Sequence, residues 1–152
     1  MANTTLAQIR AGIITVLKTL KTANGYSTQL EDAQIYESYG KDFANCKDYP
    51  KATLWFESFE INPRPSDVHD KVAMFSVMLI DRKESGDAAD YKPYESVEAF
   101  IDDLEKALSQ DHNLGGIVEN VMITDAEMDS GFAHPEGIGI AAVKVEYKSR
   151  FH

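Results

Sequence analysis

The spacing of the apolar residues alternates between a helical and an extended period along this chain, and that succession limits its architecture more than any other feature. Over residues 5–22, Leu6, Ile9, Ile13, Val16, Leu17 and Leu20 recur at three- and four-residue steps, which predicts a helix with one apolar face. Thr4 or Thr5 can cap it, and Asn24 with Gly25 tolerates the left-handed stop. Its other face carries Gln8, Lys18 and Lys21, so it should lie on a sheet with one side in solvent. Residues 52–61 then alternate with period two, Leu54, Phe56, Ser58 and Glu60 facing one way and Thr53, Trp55, Glu57, Phe59 and Ile61 the other. The Asn62-Pro63-Arg64-Pro65 turn ends that strand, because each proline removes a ladder donor. A second strand over 71–82 should return antiparallel to the first.

A second helix is expected from Ser96 onward, with Val97, Phe100, Ile101, Leu104 and Leu108 on one stripe and Glu98, Asp102 and Asp103 toward its N-terminal half, where the helix dipole favours acids. Two strands follow, over 117–124 and 137–150. In the latter Ile138, Ile140 and Ala142 share a face while Val143, Val145 and Tyr147 take the other, a phase change that suggests a bulge at Ala142-Val143. Helix, hairpin, helix, hairpin describes an α+β domain: a mostly antiparallel sheet of about four strands covered by two amphipathic helices. Residues 26–50 read as short irregular pieces, 83–93 as a loop that is either a disordered excursion or a partner-contacting arm, and 125–136 as a second contact loop.

At 152 residues the chain is one domain by length. Its 43% hydrophobic and 26% charged residues are those of an ordinary globular protein. Cys46 is the single cysteine, so an intrachain disulfide framework and a cysteine-rich zinc module are both excluded, and a reducing compartment fits. The opening Met-Ala-Asn-Thr-Thr has neither the basic nor the apolar stretch of an export signal. The longest nearly apolar run, 72–80, falls far short of the roughly 20 residues of a spanning helix, so no membrane partner is expected.

The formal charge of −10 argues against a module that binds nucleic acid through a basic patch. Its distribution is uneven: +3 over residues 1–27, −4 over 28–80, −6 over 81–111, −5 over 112–136 and +2 over 137–152. Basic ends around an acidic middle suit contact between copies, and equally suit solvated faces.

The residues offer little catalytic patterning. His69, His112, His134 and His152 fall in turn-like or terminal segments and never recur at the four-residue spacing of a helical metal pair. His69 beside Asp70 reads as an exposed turn histidine. Cys46 has only Lys47 beside it to lower its pKa. Asn113-Leu114-Gly115-Gly116 follows a helix where a phosphate-binding loop would precede one. Asp125, Glu127 and Asp129 alternate as in a calcium loop, but Gly131 is misplaced and Pro135 precedes Glu136. No catalytic group, cofactor or metal is expected.

The junction after the second helix, Ala107-Leu108-Ser109-Gln110-Asp111-His112-Asn113-Leu114-Gly115-Gly116-Ile117-Val118, stops the helix, tucks Leu114 toward the core and uses Gly115 and Gly116 for a tight approach to the next strand. Together with the N-terminal helix, the aromatic first strand, the acidic loop before the second helix and the closing Val143-Lys144-Val145-Glu146-Tyr147-Lys148-Ser149-Arg150, it resembles the tail terminator, or tail-completion, proteins of tailed bacteriophages. The resemblance implies a small α+β subunit of a hexameric ring on the end of the tail tube, one that stops tube polymerisation and presents a surface to the head connector.

Under that resemblance the partners are further copies of the chain, the tail tube protein, a head-completion or connector protein and a sheath protein where the tail has one. DNA would pass through the lumen without specific binding, and the protein would reside in the virion after assembly in the host cytoplasm. Six copies would carry roughly −60 of formal charge, which would repel the DNA backbone and let it slide. Arg82, Lys83, Glu84, Asp87, Asp90 and Tyr91 on one loop, and Asp125, Glu127, Asp129 and Phe132 on the other, become the expected contacts with tube or neck. Arg10, Lys18 and Lys21 of one subunit would meet Asp102 and Asp103 of its neighbour. A head-completion or neck adaptor differs only in partner, while a small enzyme or a monomeric regulatory domain would belong to another class.

Overall fold

The computed structural model describes residues 4–63, 68–82, 93–129 and 136–150. Its elements run α1 (Leu6–Leu17), β1 (Ile35–Tyr36), α2 (Lys41–Asn45), β2 (Lys51–Pro63), β3 (Val68–Arg82), α3 (Pro93–Gln110), β4 (Asn120–Met128) and β5 (Glu136–Arg150). The architecture is α+β, with one five-stranded sheet in the order β1-β2-β3-β5-β4. All neighbours are antiparallel except β1 on β2, where Ile35 and Tyr36 pair with Ala52 and Thr53. That two-residue strand, drawn from a stretch without periodicity, is the fifth beyond the four expected.

Thr5 starts α1 with a reciprocal cap: its Oγ1 accepts from the Gln8 N–H at 3.2 Å, and the Gln8 side chain accepts from the Thr5 N–H at 2.8 Å. Two otherwise orphaned amides are satisfied this way. Thr5→Ala should therefore destabilise the protein by about 1 kcal/mol, read as a lower urea midpoint at unchanged m-value. The helix stops at Leu17, short of the expected Thr22, because the chain tightens there: the Thr19 amide bonds the Val16 carbonyl and the Leu20 amide bonds that of Leu17. Leu20 is thereby turned into the core, and Gly25 at φ 88° closes the following turn at 22–24.

Helices α1 and α3 lie over one face of the sheet. Ile9, Ile13 and Leu17 from α1 and Val97, Phe100, Leu104 and Leu108 from α3 join Leu54, Phe75, Val77, Leu79, Val143 and Val145 in one buried cluster. Full burial of each such side chain contributes about 1.5–3 kcal/mol of transfer free energy, so this layer, and not helix propensity, fixes α1 and α3 in place. At the far end of α3 the Leu114 side chain is buried at φ 49° and lies over Gly12, where a Cβ would come within 3.2 Å of Leu114 Cδ1. Gly115 and Gly116, at φ 73° and 96°, complete the reversal, and the Gly115 amide bonds the Asp111 carboxylate.

Several expectations change. The bulge expected at Ala142-Val143 is not in β5, which pairs with β3 without interruption from Val68 opposite Arg150 to Arg82 opposite Glu136; the break in register at that level lies across from it, on β4. Gly137, Gly139 and Ala141 hold the helix-facing positions beside Val143 and Val145, so the apparent change of phase is a change in residue size. A Cβ at Gly139 would lie 2.2 Å from Val97 Cγ1, so α3 sits against bare backbone there. Bulges occur instead between Phe56 and Ser58 in β2 and between Ile123 and Asp125 in β4. The first moves Phe59 and Ile61 onto the same face as Leu54 and Phe56, opposite to their expected side, and leaves them 44% and 43% exposed beyond the reach of the helices.

Strand β4 begins at Asn120, not Ile117, and runs on through Met128. Asp125 and Glu127 thus lie on a strand, where a loop was expected. Their alternation with Ala126 and Met128 satisfies the strand period, and an outermost strand tolerates charge because that edge is solvated. His69, expected in a turn, is a half-buried residue of β3 opposite Ser149.

Candidate functional site

Among the described residues, the second face of the sheet is covered only at one end. There the segment carrying α2 folds over β2: Tyr39 packs edge-on against Trp55 with centroids 5.8 Å apart, and Tyr36 against Phe43 at 5.7 Å. Beneath them Lys51, 3% exposed, donates from Nζ to the carbonyls of Phe43 at 2.6 Å and Cys46 at 3.1 Å. The ammonium also lies 4.6 Å from the Phe43 ring centroid and 5.3 Å from that of Tyr49, whose hydroxyl reaches Glu136 at 3.5 Å. The side-chain hydrogen bond with Cys46 first, then burial, push the Tyr36 phenol up to about 12. This cluster pins the cap with a desolvated cation that carbonyl oxygens and ring faces solvate in place of water.

Beyond the cap the face is open among the described residues. Strand alternation and register put Trp55 on β2, Met74, Ser76 and Met78 on β3, Ile138, Ile140 and Ala142 on β5, and Met122, Asp125 and Glu127 on β4 on this side. A hollow of about 280 Å³ crosses all four strands, floored by Ser76, Ile140 and Ala142 and bordered by Trp55, Glu57, Asp125 and Glu127. The Glu57 carboxylate accepts from Trp55 Nε1 and, at 2.9 Å, from Ser76 Oγ, which fixes it over the floor. No ion pair among the described residues neutralises Glu57, Asp125 or Glu127. Three exposed carboxylates around an apolar floor would favour a cationic, partly apolar partner.

The other expected contact residues are scattered. Arg82 ends β3, half-buried, and Asp129 follows β4 with its amide on the Ile138 carbonyl at 2.9 Å. Lys83, Glu84, Asp87, Asp90, Tyr91 and Phe132 lie outside the described residues. On the helix layer Lys21 is engaged within the chain, 2.8 Å from Asp32, a contact that holds the Asp32 carboxyl below its ordinary value. Asp103 is likewise engaged, accepting from the Thr28 amide at 2.8 Å and its hydroxyl at 2.7 Å. Lys18 and Asp102 are exposed, and Arg10 is half-buried.

Elsewhere, a recess of about 350 Å³ between α1 and α3 is lined by Thr15, Thr19, Tyr26, Gln110 and Asp111, with one carboxylate and no base. Among the described residues no group of three or more His, Cys, Asp or Glu is placed to hold a metal ion, and no helix is long and apolar enough to cross a membrane.

Trp55, Ser76, Ile138 and Ile140 were not singled out as site residues by sequence reasoning. The available signal was Ile138 and Ile140 alternating with glycines, where the larger side chains mark the face without helices. The fold and this surface define a two-layer α+β protein with an acid-bordered open sheet face. No family model matches the chain, and no curated protein is similar to it.

Proposed function

We infer that this chain is a structural subunit of a phage tail, one that forms a ring on the end of the tail tube, stops its polymerisation and supplies the surface to which the head joins. The observation that carries the reading is the open sheet face: an apolar floor from Ile140 and Ala142, set between carboxylates, on a domain whose other face is already filled by α1 and α3. Such a surface suits association better than chemistry, since its acids stand beside a tryptophan and small residues with no base among them. The succession of elements and the Leu114-Gly115-Gly116 junction, which resemble the tail terminators, add the particular role.

In this reading the partners are further copies of the chain, the tube protein and the connector, and DNA passes through the ring repelled by its acids. The test is electron microscopy of particles from a phage in which this gene is interrupted. Tails of uncontrolled length without heads are expected, together with a native mass of roughly 100 kDa for the purified protein, six chains of 16.9 kDa. Tails of normal length joined to heads would overturn the role.

A further inference from the structure

The acid-bordered hollow and the exposed ridge of α1 lie on opposite layers of the same domain. Along that ridge Ala7, Ala11, Thr15 and Lys18 are exposed, at steps of four, four and three residues. Small side chains let a helix backbone approach a sheet closely, and the ridge ends in a cation on a segment, residues 1–27, that has no acid at all. We propose that the open face of one copy receives α1 of a second copy, with its Lys18 entering the border formed by Glu57, Asp125 and Glu127.

Dimensions and charge both favour this occupant. Helix α1 has 12 residues, about 18 Å of axis at 1.5 Å per residue, and four strands at their usual spacing span about 14 Å from β2 to β4. A helix laid across the strands therefore covers the hollow from edge to edge. Its ridge would shield Trp55, Ile140 and Ala142 from water, while Lys18 would relieve the mutual repulsion of three carboxylates that no described cation of their own chain pairs with. A partner with the chain's average acidity would be repelled; residues 1–27, which include α1, carry +3 and no acid.

Because donor and acceptor surfaces differ, each copy offers one of each and the contact is head-to-tail. The proposal rests on the ring reading and deepens it by naming the subunit interface. It also replaces the Asp102 and Asp103 side of the expected contact, since Asp103 is held by Thr28.

Charge reversal on each side tests it with the full chain. Lys18→Glu alone, and Asp125→Lys with Glu127→Lys, should each weaken self-association in sedimentation velocity by about tenfold or more. An equimolar mixture of the two variants should recover it, because in an alternating array every contact is again of opposite sign. Circular dichroism and thermal melting check that both fold; if the double reversal does not, Asp125→Asn with Glu127→Gln replaces it and should weaken association in the same direction. Association unaffected by Lys18→Glu, or reversals that the mixture does not rescue, overturns the interface and leaves a ring of other geometry standing. A wild-type protein that stays monomeric at about 100 μM overturns the interface, and normal tails in the interrupted phage would then remove the ring role as well.

Discussion

Gly139→Ala should destabilise this protein by about 2–3 kcal/mol, the opposite of what alanine ordinarily does in a strand, where relief of glycine's backbone entropy gains about 0.5–1 kcal/mol. The added Cβ would stand 2.2 Å from Val97 Cγ1 and 3.7 Å from Ile101 Cδ1. Val97 is 1% exposed and β-branched, so in a helix it is confined to essentially one rotamer and cannot turn aside. Helix α3 must lift instead, and its lifting loosens Phe100 and Leu104 against the sheet. In a Val97→Ala background the same substitution should cost less than about 1 kcal/mol, a coupling that a thermodynamic cycle measured by urea unfolding would expose. Additive effects would mean that α3 does not rest on the Gly139 backbone.

Lys51→Ala should lower stability by about 2–4 kcal/mol, because two carbonyls lose a charged donor and two ring faces lose their cation. The loss should be regional. Amides of residues 41–46 should exchange faster with solvent than those of α3, since Lys51 Nζ is the tie between β2 and the Phe43 and Cys46 carbonyls. Lys51→Met keeps most of the packed stem and removes the charge, so the difference between the two variants separates stem packing from the ammonium's bonds. Equal protection of residues 41–46 in wild type and Lys51→Ala would show that the cap is held by its aromatic contacts alone.

Both predictions rest on residues whose importance was only partly visible in one dimension. Gly139 carries no signal of its own in the sequence, and the alternation of Ile138, Ile140 and Ala142 with Val143, Val145 and Tyr147 suggests a phase change because small and large side chains exchange faces along β5. Lys51 lay just outside the expected strand and carried no motif. The amphipathic stripes of α1 and α3, the β2–β3 hairpin and the Leu114-Gly115-Gly116 reversal were legible because each depends on local spacing or on a φ that glycine permits. The bulge at Glu57 was not, since a single extra residue reverses the facing of Phe59 and Ile61 without altering their alternation.

For the site, the acids Asp125 and Glu127 and the basic residue Lys18 were picked out by charge, but their setting was not. Sequence alone determined the α+β class, the two helices that fill one face and the excess of acid through the middle of the chain, because apolar period and charge are properties of neighbouring residues. Tertiary structure decided that, among the described residues, one sheet face stays open beyond a short aromatic cap, that Glu57 on β2 and Asp125 and Glu127 on β4 border its hollow from opposite sides, and that Lys21 and Asp103 are consumed within the chain. Those outcomes depend on register and on contacts between residues far apart in sequence, such as Thr28 with Asp103, which no local period encodes.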